Sequence, residues 1–166
     1  MPDDAAPWLI RDAEPGDHAD WLVLWQGYLD FLGSSLAPAV TANVWQGIME
    51  PARRYRARLA LVAGRVCGFA IHHPHLSTWS INPDCYLEDL FVAENARGLG
   101  LGRALIVDLV DIARANGWER LYWMTDVDNH RARRLYDTFT PSDGNIRYRF
   151  RLSKPEIGRA SCRERV

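Results

Sequence analysis

Tyr86-Leu87-Glu88-Asp89-Leu90-Phe91-Val92 and, a few residues on, Arg97-Gly98-Leu99-Gly100-Leu101-Gly102 are the stretches from which the fold of this chain is read. The first is rich in large apolar residues bounded by turn-forming neighbours and predicts a strand over 86–92. The second is a glycine-rich turn, after which a helix over 102–116 is predicted. Leu101, Leu105, Leu109 and Ile112 share one side of that helix, and Asn116-Gly117 supplies a helix-ending pair. A further strand over 120–125 makes the unit β-α-β. Backbone N–H groups in such a turn, together with the helix dipole, can hold an anion such as a pyrophosphate. A plain strand-to-helix turn is the alternative. The dinucleotide fingerprint fails, because its third glycine would fall at position 103, which is arginine.

Outward from this core, Trp8–Asp12 reads as a first strand, and Pro15-Gly16-Asp17 starts a helix whose Trp21, Trp25, Tyr28 and Leu32 fall on one buried face. A short helix over 41–49, closed by Pro51, precedes two strands, 59–63 and 66–72, joined through Gly64-Arg65 as a hairpin. A short helix is expected over 131–138. The alternation of Ile146, Tyr148, Phe150 and Leu152 with arginines predicts a half-solvated strand over 145–152. Residues 1–152 read as one domain. Residues 153–166 have no apolar periodicity and read as a disordered or foreign tail.

The chain has 166 residues, 48% of them hydrophobic, which is enough for one core. With a net charge of −1 there is no broad cationic surface for nucleic acid. Before Ser153 the balance is acidic, 16 basic against 19 acidic side chains. Lys154 is the only lysine, which removes a Walker-type phosphate loop. No apolar run is long enough to span a membrane and no signal peptide is recognisable, so a cytoplasmic domain is expected. Cys67, Cys85 and Cys162 are too far apart for a metal knuckle and are read as reduced thiols. His72, His73 and His75 with Asp84 raise the question of a metal, but neighbouring strand residues face opposite sides, and no metal is expected.

Two ordered motifs give the chain a family resemblance. Arg97, Gly100 and Gly102 fit the pyrophosphate-binding signature Arg/Gln-x-x-Gly-x-Gly/Ala, and Asn129, Ala132 and Tyr136 fit Asn-x-x-Ala-x-x-x-Tyr downstream. Both resemble the GNAT N-acetyltransferases. The stretch 86–92, with Ser77-Thr78-Trp79-Ser80 and the arginine-rich run before Tyr136, is similar to the histone and polyamine (diamine) acetyltransferase-like branch. Position 140 is threonine where that family usually has glycine. The resemblance implies an α/β fold with a mixed, mostly antiparallel sheet flanked by helices and splayed at the central fourth strand, near Leu90 to Val92.

It also implies acetyl-CoA as donor and roles for particular residues. Glu88 corresponds to the base that deprotonates the amine, and Tyr136 to the acid that protonates the departing thiolate. A bulge in the strand would free backbone N–H groups of Leu90, Phe91 and Val92 to polarise the thioester carbonyl. The turn Arg97, Gly98, Leu99, Gly100, Leu101 and Gly102 would hold the pyrophosphate, Asn129 the pantetheine arm, and Arg103 and Arg134 the coenzyme phosphates. Each has a plainer role open to it: solvated charge, aromatic packing or helix cap. An acetyl-cysteine on Cys67 or Cys85 is set aside because neither has a histidine at a telling spacing. Direct transfer to a primary amine is expected. Glu88, Asp89, Asp126 and Asp128, with Trp25, Tyr28, Trp79 and Trp123 as candidate aromatic walls, point to a small cationic amine or a lysine-bearing peptide as acceptor. A homodimer is compatible with the resemblance. The competing readings are a CoA-binding regulatory module without turnover and, more distantly, a nucleotide-dependent redox protein.

Overall fold

The computed structural model describes residues 8–50, 52, 55–150 and 152. Pro51, Cys162 and the tail 153–166, for which the sequence carries expectations, lie outside them. Five strands form one sheet in the order β1-β2-β3-β4-β5: β1 Trp8–Asp12, β2 Arg56–Val62, β3 Arg65–His75, β4 Asp84–Val92 and β5 Leu121–Trp123. The first four are antiparallel neighbours, and β5 lies parallel to β4 because helix α3, Leu101–Ala115, carries the chain back between them. The sheet is therefore mixed and mostly antiparallel, as expected.

Helices cover both faces. On one, α1 (His18–Phe31) and α2 (Pro38–Met49) bury Trp21, Trp25 and Leu24 against Leu59, Phe69 and Ile71. On the other, α3 sets Leu101, Leu105, Ile106 and Leu109 against Ala60, Ala70 and Leu87, where the small alanines allow the helix to approach the sheet. A charge network ties the second layer down: Arg58 of β2 holds Asp108 of α3 through two bonds of 2.7 and 2.9 Å and reaches Asp12 of β1 at 3.0 Å. A last helix, α4 (His130–Tyr136), packs Leu135 and Tyr136 at the edge of that layer.

Several expectations change. Leu32 caps the end of α1 and is exposed, so only the helical turns before it contribute to the buried face. The β2–β3 turn is Ala63-Gly64, one residue earlier than expected, and both residues have positive φ, 48° and 75°, as a two-residue hairpin turn requires. The strand expected over 145–152 is absent among the described residues. Ile146, Tyr148, Phe150 and Leu152 alternate as a strand would, yet all are exposed and none is in a ladder. Alternation fixes which side chains share a face, whereas pairing needs a matching neighbour, and β5 offers an edge only three residues long.

One histidine contact was not readable from spacing: Cys85 Sγ lies 3.5 Å from Nδ1 of the buried His72. The pair is not a nucleophile and its base. Burial pushes the His72 imidazole down to about 4 and the Cys85 thiol up to about 12, so both are neutral at physiological pH. Alkylation at pH 8 followed by peptide mapping is accordingly expected to leave Cys85 unlabelled until the protein is unfolded in urea. Leu105→Ala, which empties a fully buried position between α3 and the sheet, is expected to cost about 2–5 kcal/mol in a urea melt.

Candidate active site

The site grows out of the parting of β4 from β5. Their parallel ladder runs only through Cys85, Tyr86 and Leu87, opposite Leu121, Tyr122 and Trp123. From Glu88 onward that edge of β4 has no strand beside it among the described residues. Its other edge stays paired, with Leu90, Phe91 and Val92 opposite Ala70, Phe69 and Gly68 of β3. The open edge gives a cleft with free backbone groups on one wall.

The irregularity in β4 sits earlier than expected. Ile71 pairs with Asp89 and His72 with Leu87, so Glu88 is the extra, unpaired residue of a bulge; Leu90 to Val92 follow it in regular register. The bulge cancels one step of strand alternation. Consecutive carboxylates, Glu88 and Asp89, thereby line one cavity of about 500 Å³ with Trp25, Tyr55, Ile71 and His73. Glu88 Oε2 is 3.3 Å from His73 Nε2, and its side chain is 45% exposed. Asp89 is deeper and accepts a 2.8 Å bond from the Tyr28 hydroxyl. Burial pushes the Asp89 carboxyl up to about 6, against the opposing pull of the Tyr28 bond.

At the far end of β4 the chain turns through Gly98 and Gly100, with φ of 86° and 81°, conformations that L-residues rarely adopt. Gly100 is the N-cap of α3 and provides no side chain to satisfy the first-turn N–H groups, which are left for a ligand or solvent. Leu99 is exposed there and Leu101 buried. Gly102 has a different reason: a Cβ would lie 3.2 Å from Leu135, so the missing side chain lets α3 meet α4. Arg97 is folded back, with Nε on the Val92 carbonyl at 3.3 Å and its guanidinium over Phe31.

Tyr136 packs edge-on against Trp123 with ring centroids 5.4 Å apart, and burial raises its phenol. Tyr28, which donates to Asp89, packs its ring against Trp25, Phe69 and Phe91. Asn129 caps α4, its Oδ1 accepting from the Ala132 N–H at 3.2 Å. Arg103 is a strut as built: it donates to Thr138 at 2.6 Å and lies over the Phe139 ring, joining the start of α3 to the end of α4. Arg134 is exposed. Asp126 and Asp128 stand on exposed turns and Trp79 on an exposed loop, away from the cavity lining. Tyr55 and His73 do line it; nothing in the local sequence singled out Tyr55, and His73 stood out only as one of three clustered histidines. His72 points inward, whereas His73 and His75 share the other face with ring centroids 6.3 Å apart and reach Glu88 and the Tyr122 hydroxyl, and the described residues contain no cluster able to hold a metal ion. No described helix is long and apolar enough to cross a membrane.

Comparison with known proteins agrees with this architecture. The chain is 32% identical over 143 residues to a D-amino-acid N-acetyltransferase of Saccharomyces cerevisiae, covering 85% of this chain and 89% of that one. It is 31% identical over 96 residues to a thialysine N-epsilon-acetyltransferase of Caenorhabditis elegans, covering 55% and 59%. A crystal structure of a probable acetyltransferase superposes with a TM-score of 0.78 at 24% identity, covering 88% of this chain and 99% of that one, a likeness of fold. Residues 20–139 match the acetyltransferase (GNAT) family, and with a relative this similar across most of both chains, the protein belongs to that family.

Proposed function

We propose that the protein transfers an acetyl group from acetyl-CoA directly to a primary amine, with a small cationic amine or a lysine-like side chain as acceptor. The observation that carries this reading is the junction of the two halves of the site: the parted edge of β4 runs from the carboxylate-lined cavity to the left-handed glycine turn at the start of α3. The turn fits a pyrophosphate, because Gly98 and Gly100 leave open space where side chains would stand and the helix N-terminus is uncapped by any side chain. Acetyl-CoA supplies the acetyl group as an activated thioester.

The residues of this chain then have separate tasks. Backbone groups of Gly98 to Gly102 hold the diphosphate, and Asn129, with its amide nitrogen not engaged in the cap, orients the pantetheine arm beside α4. Free N–H groups on the open edge of Leu90 to Val92 polarise the carbonyl. Glu88 takes the proton that the amine loses as its nitrogen bonds to the acetyl carbon; Tyr136 gives its phenolic proton to the sulfur as the carbon–sulfur bond breaks. The bond from His73 orients the Glu88 carboxylate. Arg103 serves by holding Thr138 and Phe139, and hence the end of the helix that presents Tyr136. The reaction suits the reducing cytoplasm expected from the free thiols.

Gly100→Val is expected to weaken CoA strongly in calorimetry while the circular dichroism of the protein is unchanged; undiminished affinity in a folded variant would refute the turn assignment. Tyr136→Phe is expected to lower kcat by about 10²-fold or more with little change in acetyl-CoA affinity, and Glu88→Gln to lower kcat at saturating amine. Wild-type kcat in both variants, measured with a readily acetylated amine, would overturn the roles given to them.

A further inference from the structure

The reaction just described asks Glu88 to handle more protons than one carboxylate can hold. A cationic acceptor arrives as an ammonium and loses two protons in a turnover, one to become nucleophilic and one as the amide forms. The sulfur gains one, through Tyr136. Glu88 carries a single proton at a time, so it must pass the first on before the second is released. It also lines the cavity that an acceptor fills, so a bound acceptor stands between its carboxylate and the water there.

A group suited to take that proton lies beside it. Tyr86 and Glu88, two residues apart on β4, share a face, and His73 of β3, the partner of Tyr86, is diagonally across from Glu88. His73 Nε2 is 3.3 Å from Glu88 Oε2. The ring stands edge-on to Tyr86 and Tyr55, with centroids 5.7 and 6.3 Å away, which fixes the direction of that nitrogen. Nδ1 has no hydrogen-bond partner among the described residues, and the side chain is 28% exposed. His75, the next residue on that face, differs: its two ring nitrogens meet the Leu76 carbonyl at 2.9 Å and the Tyr122 hydroxyl at 2.8 Å, so neither is open. The His73 contact is longer than the about 2.7–2.9 Å of a charge-assisted N–H···O bond. The ring is therefore not locked into donating to the carboxylate, and both tautomers are available to it.

We propose that His73 relays the proton of Glu88 to solvent while an acceptor is bound. The Glu88 O–H bond breaks as an N–H bond forms at Nε2, which leaves an imidazolium beside a carboxylate. The imidazolium then gives its Nδ1 proton to water or a buffer base, and exchange with water restores the starting tautomer before the next transfer. One proton leaves in each turnover by this route. The second, held on Glu88 as product departs, replaces through solvent the one that Tyr136 gave to the sulfur. In this role His73 acts through Glu88 and makes no bond to the reacting atoms. The relay rests on the acetyltransferase reading and adds the path by which its proton leaves.

The experiment is steady-state acetylation of n-butylamine in dilute buffer near neutral pH, with melting curves for each protein. The proteins are wild type, His73→Gln, His73→Ala, His75→Gln, Glu88→Gln and the double variant Glu88→Gln/His73→Gln. Glutamine keeps an N–H for the Glu88 carboxylate but carries no proton through, so it separates relaying from orienting. His73→Gln is expected to lower kcat by about tenfold or more with KM for both substrates little changed. Added imidazole is expected to restore most of that loss, and to leave wild type and His75→Gln unmoved. His73→Ala opens space for imidazole beside Glu88 and gives the same test where the glutamine variant folds poorly. In the double variant the change at His73 is expected to add no loss to that of Glu88→Gln, because the relay then has nothing to receive. Wild-type kcat in folded His73→Gln, a loss that imidazole leaves untouched, or a full further loss in the double variant would overturn the relay and leave the acetyltransferase standing. Transfer to no primary amine by wild type would overturn both.

Discussion

The ladder between β4 and β5 stops at Leu87 and Trp123, and the rest of the site depends on that stop. Had β5 continued beside β4, the backbone of Glu88 to Val92 would be paired on both edges and no cleft would separate the strands. The chain ends the pairing by letting β5 run out after three residues into the turns at Asp126 and Asp128 that lead to α4. Beyond it, α4 packs Tyr136 against Trp123, the last residue of β5. The mismatch between a long fourth strand and a short fifth is the structural source of the chemistry proposed for the protein.

Such an opening requires a stiff surround, because free backbone edges tend to find partners. The surround is built from charge pairs that span elements. Arg58 joins β2 to α3 and β1, and Arg120 holds Asp84 at the start of β4 through bonds of 3.0 and 2.6 Å. In both pairs a carboxylate receives two bonds from one guanidinium, a geometry that fixes orientation as well as distance. On the other face, the stacked Trp21 and Trp25, 5.3 Å apart, fill the space between α1 and the sheet and present Trp25 to the cavity.

The polar groups inside the cavity are arranged by depth. Glu88, on the bulge, keeps contact with solvent and His73. Asp89, one residue on, meets Tyr28 from a helix 61 residues earlier in the chain, and burial holds its carboxyl near neutrality. Two neighbouring residues of one chemical type thereby acquire different exposure and different partners.

Much of this was readable without coordinates. The apolar run 86–92, the glycines at 98 and 100 and the spacing of Leu101, Leu105 and Leu109 are local patterns, and local patterns determine strand, turn and helix because steric and burial constraints act over a few residues. The helical face of Trp21 and Trp25 and the Asn116-Gly117 stop are of the same kind. What the tertiary structure decided involves partners distant in sequence: the bulge at Glu88 instead of beyond Leu90, the Tyr28–Asp89 bond, the His72–Cys85 contact, and Arg103 spent on Thr138 and Phe139. The segment 145–152 shows the same limit from the other side. Its alternation names an apolar face, but a strand exists only where another edge accepts its backbone, and that edge is a property of the folded sheet.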